Sequence, residues 1–236
     1  MPTTTHTFDA ILFDMDGTLI DSTAGVEGAW NLFKDRYPHI DVERILSSAH
    51  GVRTVENLRN HCGIEDPVEQ EKEAERFERA IVTTSSENGR QGIVLLPGVP
   101  EIMKNLAPYA KLPRPRWTIC TSATRSYATA ALRIVGIEVP EAVVFAEDVQ
   151  KGKPQPDPYL LGAARCDVKP ENCLVVEDAP AGIRSGQAAG CKTLAVVTSH
   201  SRGQMEACQP NFLVQNLESV KMTVTDKGVV VEMTTL

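Results

Sequence analysis

From about Leu95 onward, short apolar runs alternate with segments of helical character, and this alternation constrains the fold more than any other feature of the chain. The runs are Trp117-Thr118-Ile119-Cys120, Val143-Val144-Phe145, Leu174-Val175-Val176, Leu194-Ala195-Val196-Val197 and Phe212-Leu213-Val214, with helix-compatible stretches at 126–135, 158–166 and 181–189. Strands alternating with helices predict parallel β-α-β units wound on both faces of one sheet. An earlier run, Phe8-Asp9-Ala10-Ile11-Leu12-Phe13, reads as a further short buried strand. In such sheets ligands bind beyond the carboxyl ends of the strands, so each strand end becomes a place to look for chemistry.

Residues 22–89 differ. They carry helical patterns at 24–37, 41–48, 54–62 and 67–82 and almost no strand signal. The last begins with the charged run Glu69-Gln70-Glu71-Lys72-Glu73-Ala74-Glu75-Arg76, which reads as a solvated helix face, and Glu75 with Arg79 offers an i,i+4 pair. An all-helical insertion in an α/β domain predicts a second lobe, joined by linkers near Asp21 and near 89–92. Asp226-Lys227-Gly228, between valine-rich halves, is a hairpin signal.

Composition narrows the classes of function. The chain of 236 residues has 42% hydrophobic and 23% charged residues and a net charge of −7, with no lysine- or arginine-rich block, so no nucleic-acid partner is expected. A small anionic substrate would have to be held by a few local cations and by backbone amides. The start of the chain lacks the apolar core of a signal peptide, and no apolar run approaches the ~20 residues that span a bilayer. The expectation is a cytoplasmic protein without membrane contact, and a monomer. Six cysteines without a Cys-x-x-Cys pair or zinc-like spacing read as reduced thiols.

Chemistry gathers at four strand ends. The first delivers Asp14-Met15-Asp16-Gly17-Thr18, two carboxylates at the mouth of an apolar strand. A lone Asp-x-Asp is commonly a cap or a solvated turn, yet unpaired buried charge is costly and a divalent cation would remove that cost. The second end delivers Thr121-Ser122, where a helix cap is the plainer reading. The third is Lys151-Gly152-Lys153-Pro154-Gln155-Pro156-Asp157-Pro158, a stiff loop able to present an ammonium. The fourth is Glu177-Asp178, and acids are poor strand residues. Together they offer what phosphoryl transfer needs. Asp14 would attack phosphorus, and Mg²⁺ on Asp14, Asp178 and the Asp16 carbonyl would screen its repulsion from the phosphoryl group, with Glu177 the remaining acid of the metal set. Thr121 and Lys153 would hold phosphoryl oxygens. Asp16 would protonate the leaving alkoxide and then take a proton from the hydrolytic water.

Asp14-Met15-Asp16-Gly17-Thr18-Leu19, the Thr121-Ser122 end, Gly152-Lys153-Pro154 and Glu177-Asp178-Ala179-Pro180-Ala181-Gly182-Ile183 resemble, in order, the four motifs of the haloacid dehalogenase superfamily. The resemblance spans nearly the whole chain. It implies an α/β fold: a Rossmannoid three-layer core with a parallel sheet (1–21 and 91–236) and an inserted α-helical cap domain (22–90). Dehalogenase members lack the acid found here at Asp16, which favours phosphate chemistry, and the absence of a membrane span excludes the membrane-pump relatives.

A narrower likeness lies in Ser47-Ser48-Ala49-His50-Gly51-Val52-Arg53-Thr54, which is similar to a His-Gly-x-Arg-Thr segment of fungal 2-deoxyglucose-6-phosphate and glycerol-phosphate phosphatases. It makes His50, Gly51, Arg53 and Thr54 candidate substrate contacts, alongside Gly17, Thr18, Ser122 and Ala123 of the core. At Ala123 those relatives tend to carry glycine. The implied activity is Mg²⁺-dependent hydrolysis of small sugar or polyol phosphates through an aspartyl-phosphate. A sugar phosphomutase of the β-phosphoglucomutase type has the same core residues, and a non-catalytic phospholigand-binding protein is the reading from another class.

Overall fold

The computed structural model describes residues 3–46, 51–111 and 113–236. Its strands are β1 (Thr3–Phe8), β2 (Ala10–Phe13), β3 (Ile20–Asp21), β4 (Val94–Leu95), β5 (Trp117–Ile119), β6 (Cys173–Glu177), β7 (Lys192–Val196), β8 (Phe212–Val214), β9 (Val220–Thr225) and β10 (Gly228–Thr234). The α-helices are α1 (Thr23–Arg36), α2 (Val42–Leu46), α3 (Thr54–Cys62), α4 (Pro67–Thr84), α5 (Val99–Leu106), α6 (Arg125–Val135), α7 (Asp157–Arg165), α8 (Pro180–Ala188) and α9 (Arg202–Glu206).

Five strands form a parallel sheet in the order β5-β2-β6-β7-β8. β2 and β6 lie inside it and every one of their residues is buried, as expected for strands covered on both faces. Period-two alternation divides their side chains. Ile11, Phe13, Leu174 and Val176 pack with α5 and α6, whereas Ala10, Leu12, Cys173 and Val175 face Tyr159 and Ala163 of α7. The result is a three-layer α/β fold.

Several elements depart from the sequence expectations. The run 8–13 is two strands, because the chain leaves one sheet at Phe8 and enters another at Ala10, with the Asp9 amide bonded to the Asn172 carbonyl at 2.9 Å. β1 joins the hairpin formed by β9 and β10 in a separate antiparallel sheet, Thr3 opposite Thr234 and Phe8 opposite Val229. Its threonines are too polar to signal a core strand, but they are β-branched and suit a partly exposed sheet. Val143-Val144-Phe145 shrinks to a single bridge between Val144 and Cys120, since the chain turns at once into a short 3₁₀ segment, Ala146–Asp148.

Between β3 and β4, which pair antiparallel through Ile20–Leu95 and Asp21–Val94, the described residues form α1 to α4 and a short 3₁₀ turn. Asp66 caps α4 by accepting from the amides of Val68 and Glu69, and Pro67 occupies the first turn. These helices share an aromatic contact, with Phe77 4.5 Å from Trp30 and 5.1 Å from Phe33, ring centre to ring centre. The charged run on α4 is only partly solvated: Glu73 is buried and paired with Arg36 and Arg76, and Glu78, one turn further on, is buried as well. No helix among the described residues is long and apolar enough to cross a membrane.

Candidate active site

Asp14 follows β2 directly, and its amide donates to the Val176 carbonyl at 3.0 Å, so the ends of β2 and β6 are tied together. Glu177 closes β6 and Asp178 follows it. The Lys153 ammonium enters from the opposite loop and donates to Asp14 Oδ1 at 2.5 Å and to Glu177 Oε1 at 2.7 Å. All four side chains are buried.

Glu177 is fully engaged. Its Oε1 also accepts from the Tyr159 hydroxyl at 2.7 Å, and its Oε2 accepts from the amides of Asp178 and Ala179. It fixes the lysine and has little left to offer another ligand. Asp178 differs: Oδ1 accepts from Thr18 Oγ1 at 3.3 Å, but Oδ2 is buried without a hydrogen-bond partner of good geometry, although the Ser199 hydroxyl is close enough to the carboxylate to favour its charged form. One oxygen each of Asp14, Glu177 and Asp178 lies within 4.8 Å of the others. Three carboxylates against one ammonium leave two negative charges for a single divalent cation to balance. The orphaned Asp178 oxygen and the all-oxygen donor set therefore fit a hard divalent metal.

The electrostatics follow from burial. It pushes the Asp14 carboxyl up to about 7, with Lys153 opposing and Glu177 adding to the rise. Burial alone would lower the Lys153 ammonium, but Asp14 and Glu177 together outweigh it and hold the group above its ordinary value. Asp178 is raised well above the usual carboxylate range by burial, then by Asp14 and Glu177. A cation at this site would reverse that logic.

Gly17 is required by its surroundings. It has φ +83°, and a Cβ there would lie 2.1 Å from Asp178 Oδ2 and 2.3 Å from Ser199 Oγ. The Asp16 carboxylate is held by two hydroxyls: its Oδ1 accepts from Ser22 Oγ at 2.6 Å and from the Tyr127 hydroxyl at 2.7 Å. Burial raises the Asp16 pKa, against the pull of these two hydroxyls.

Neither hydroxyl at the end of β5 caps α6; Thr124 does. Thr121 Oγ1 accepts from the Ala123 amide at 3.0 Å, and Ser122 Oγ donates to the Gly51 carbonyl at 2.9 Å, joining core to insertion. Asp14, Asp16, Thr121, Ser122 and Ala123 line one side of a cavity, and Gly51 and Thr54 line the other. Gly17, Thr18, Lys153, Glu177 and Asp178 do not line this cavity. Arg53 is not brought into the cavity. Its guanidinium donates to the carbonyls of Val149 at 2.6 Å and Gln150 at 3.2 Å, just before the lysine loop. His50 lies outside the described residues.

Sequence reasoning missed four groups that complete the site: Ser22, Tyr127, Tyr159 and Glu78. Glu78 of α4 accepts from Thr54 Oγ1 at 2.8 Å and from the amide and hydroxyl of Thr124. Burial pushes its carboxyl up to about 7 in spite of those three donors. A signal was present: Ala74, Phe77, Glu78 and Ile81 follow i, i+3, i+4, i+7 spacing, which puts this acid on the apolar stripe of its helix.

Comparison with known proteins identifies the family. The profile of the haloacid dehalogenase-like hydrolases matches residues 8–190. The chain is 36% identical over 220 residues to hexitol phosphatase A of Escherichia coli, covering 93% of this chain and 96% of that one. It is 30% identical over 221 residues to glycerol-1-phosphate phosphohydrolase 2 of Saccharomyces cerevisiae, covering 91% and 84%. A crystal structure of a hydrolase from Pseudomonas syringae superposes with a TM-score of 0.74 at 22% identity, covering 89% of this chain and 94% of the other. With its profile match over residues 8–190 and its similarity to named phosphatases, the chain belongs to the haloacid dehalogenase-like hydrolases.

Proposed function

We propose that the protein hydrolyses phosphate monoesters of small sugars or polyols, with Asp14 as nucleophile. The observation that carries this reading is the meeting of the Asp14 carboxylate, the Lys153 ammonium and the partnerless Asp178 oxygen, with Asp14 lining a cavity to which the helical insertion also contributes residues. The substrates named for the two relatives, a hexitol phosphate and glycerol-1-phosphate, belong to this class.

In the first step an Asp14 oxygen bonds to phosphorus as the ester P–O bond breaks, and the alcohol leaves with a proton from Asp16. In the second, water gives its proton to Asp16 and attacks phosphorus, releasing phosphate and restoring Asp14. Lys153 neutralises the nucleophile before attack and faces the phosphoryl group afterwards, while Glu177 and Tyr159 hold it in place. Thr121 and the amides after it serve the phosphoryl oxygens. Asp14, Asp178 and the Asp16 carbonyl would hold Mg²⁺, which supplies charge screening between carboxylate and phosphoryl group. Glu177, the further acid of the expected metal set, contributes by holding Lys153. Residues 22–90 act as the cap over a core made of 1–21 and 91–236, and Gly51, Thr54 and Ser122 set its seat.

The test is phosphate release from a panel of sugar and polyol phosphates, with Mg²⁺ and with chelator. Release that requires Mg²⁺ is expected; no release from any ester of the panel would defeat the reading.

A further inference from the structure

The helical wall of the cavity has a chemistry of its own. Trp30, Phe77 and Ile81 give it an apolar face, and Thr54, Asn57 and Glu78 give it its polar atoms. No lysine, arginine or histidine lines the cavity among the described residues. The nearby cations are committed elsewhere: Arg53 to two backbone carbonyls, Lys153 to Asp14 and Glu177. Among the described residues, the one charged side chain that the insertion brings to this wall is the buried carboxyl of Glu78, held by Thr54 and Thr124.

We infer that this wall selects monophosphates whose alcohol portion is uncharged, and that Glu78 is the residue that turns away substrates bearing a second anionic group. The inference rests on the phosphatase reading and narrows its substrate class. The transferred phosphoryl group is met by Lys153 and by the acidic metal site. A second phosphate or a carboxylate on the leaving alcohol would have to shed water against Trp30 and Phe77, where no cation of the described residues replaces it, and beside a like charge. Hydroxyl groups meet no such barrier. Thr54 and Thr124 already place hydroxyls against Glu78. A deoxy or methylene face would lie on the aromatic side. The same argument disfavours a phosphomutase, whose turnover passes through a bisphosphate.

The experiment compares kcat/KM for a glycerol phosphate, phosphoglycolate and a hexose 1,6-bisphosphate at pH 8 in the wild type and in Glu78→Gln. The wild type is expected to favour the uncharged alcohol by about 100-fold or more, the scale of leaving a buried charge unpaired. Glu78→Gln, checked for folding by its thermal transition, should narrow that ratio at least 5-fold. Wild-type turnover of either doubly anionic ester within 10-fold of the glycerol phosphate would overturn the inference and leave the phosphatase reading standing. An unchanged ratio in Glu78→Gln would overturn the part given to Glu78. Absence of phosphate release from all three would remove the phosphatase reading itself, and this inference with it.

Discussion

On the sheet side of the cavity, three acids and a lysine are packed so closely that one ammonium touches two carboxylates at 2.5 and 2.7 Å. On the helical side an aromatic surface carries one buried acid, which touches only hydroxyls and an amide. The first arrangement is built around a charge still to be supplied, because its net negative charge and the orphaned Asp178 oxygen both call for a cation. The second is complete as it stands. Groups that perform a reaction need mutual contact at fixed distances, whereas groups that choose a substrate need only present the right surface.

Two substitutions at the sheet side should break the contrast most severely. Asp14→Asn is expected to abolish phosphate release, since an amide cannot form the acyl phosphate; wild-type rates in this variant would exclude covalent catalysis at Asp14. Asp16→Asn should lower turnover by about 10² to 10⁴-fold, the range typical of general acid–base catalysis. Its fold and metal affinity, followed by thermal unfolding and Mg²⁺ titration, should change little, because only the carbonyl of Asp16 is assigned to the metal.

At the helical side the expected effects are smaller and can be read as stability. The Glu78 carboxyl sits at about 7 in the folded chain against an ordinary 4.5, so the folded state holds a proton that the unfolded state has released. Stability from this group is therefore lost as pH rises from about 4.5 to about 7 and is level above that, by an amount on the order of 3 kcal/mol. Glu78→Gln should remove that share of the pH dependence in denaturant titrations at pH 5 and pH 8. A slope equal to that of the wild type would show that Glu78 is not the buried acid responsible.

The mildest effect should come from Arg53→Ala. Because the guanidinium joins the insertion to the carbonyls before the lysine loop, a loss of a few-fold is expected, equal for a sugar phosphate and for a small aryl phosphate. A loss confined to the sugar phosphate would instead place Arg53 against the substrate.

The two walls were also unequally legible in the sequence. Asp14, Thr121 and Asp178 could be found because each stands at or just past the end of an apolar run, and a parallel sheet gathers such ends at one edge, while Lys153 is marked by its proline- and glycine-stiffened loop. Glu78 stands inside a helix dense in acids, where burial depends on how that helix is rotated against its neighbours. Its place on the apolar stripe was the only clue. Arg53 shows the opposite limit: its motif drew attention, but a long side chain can turn either way, and here its guanidinium donates to Val149 and Gln150. The same reason hid the break at Asp9, since an unbroken β-like run cannot tell one sheet from two.

The pairing of Thr3 with Thr234 has a practical meaning. β10 lies between β1 and β9, so it is the middle plank of its small sheet. Trimming residues 228–234 would leave the planks on both sides without a neighbour and would bare the inward faces that Val229, Val231 and Met233 now cover. Two raw edges of that kind invite self-association, so a shortened chain should clump before its catalytic groups are disturbed.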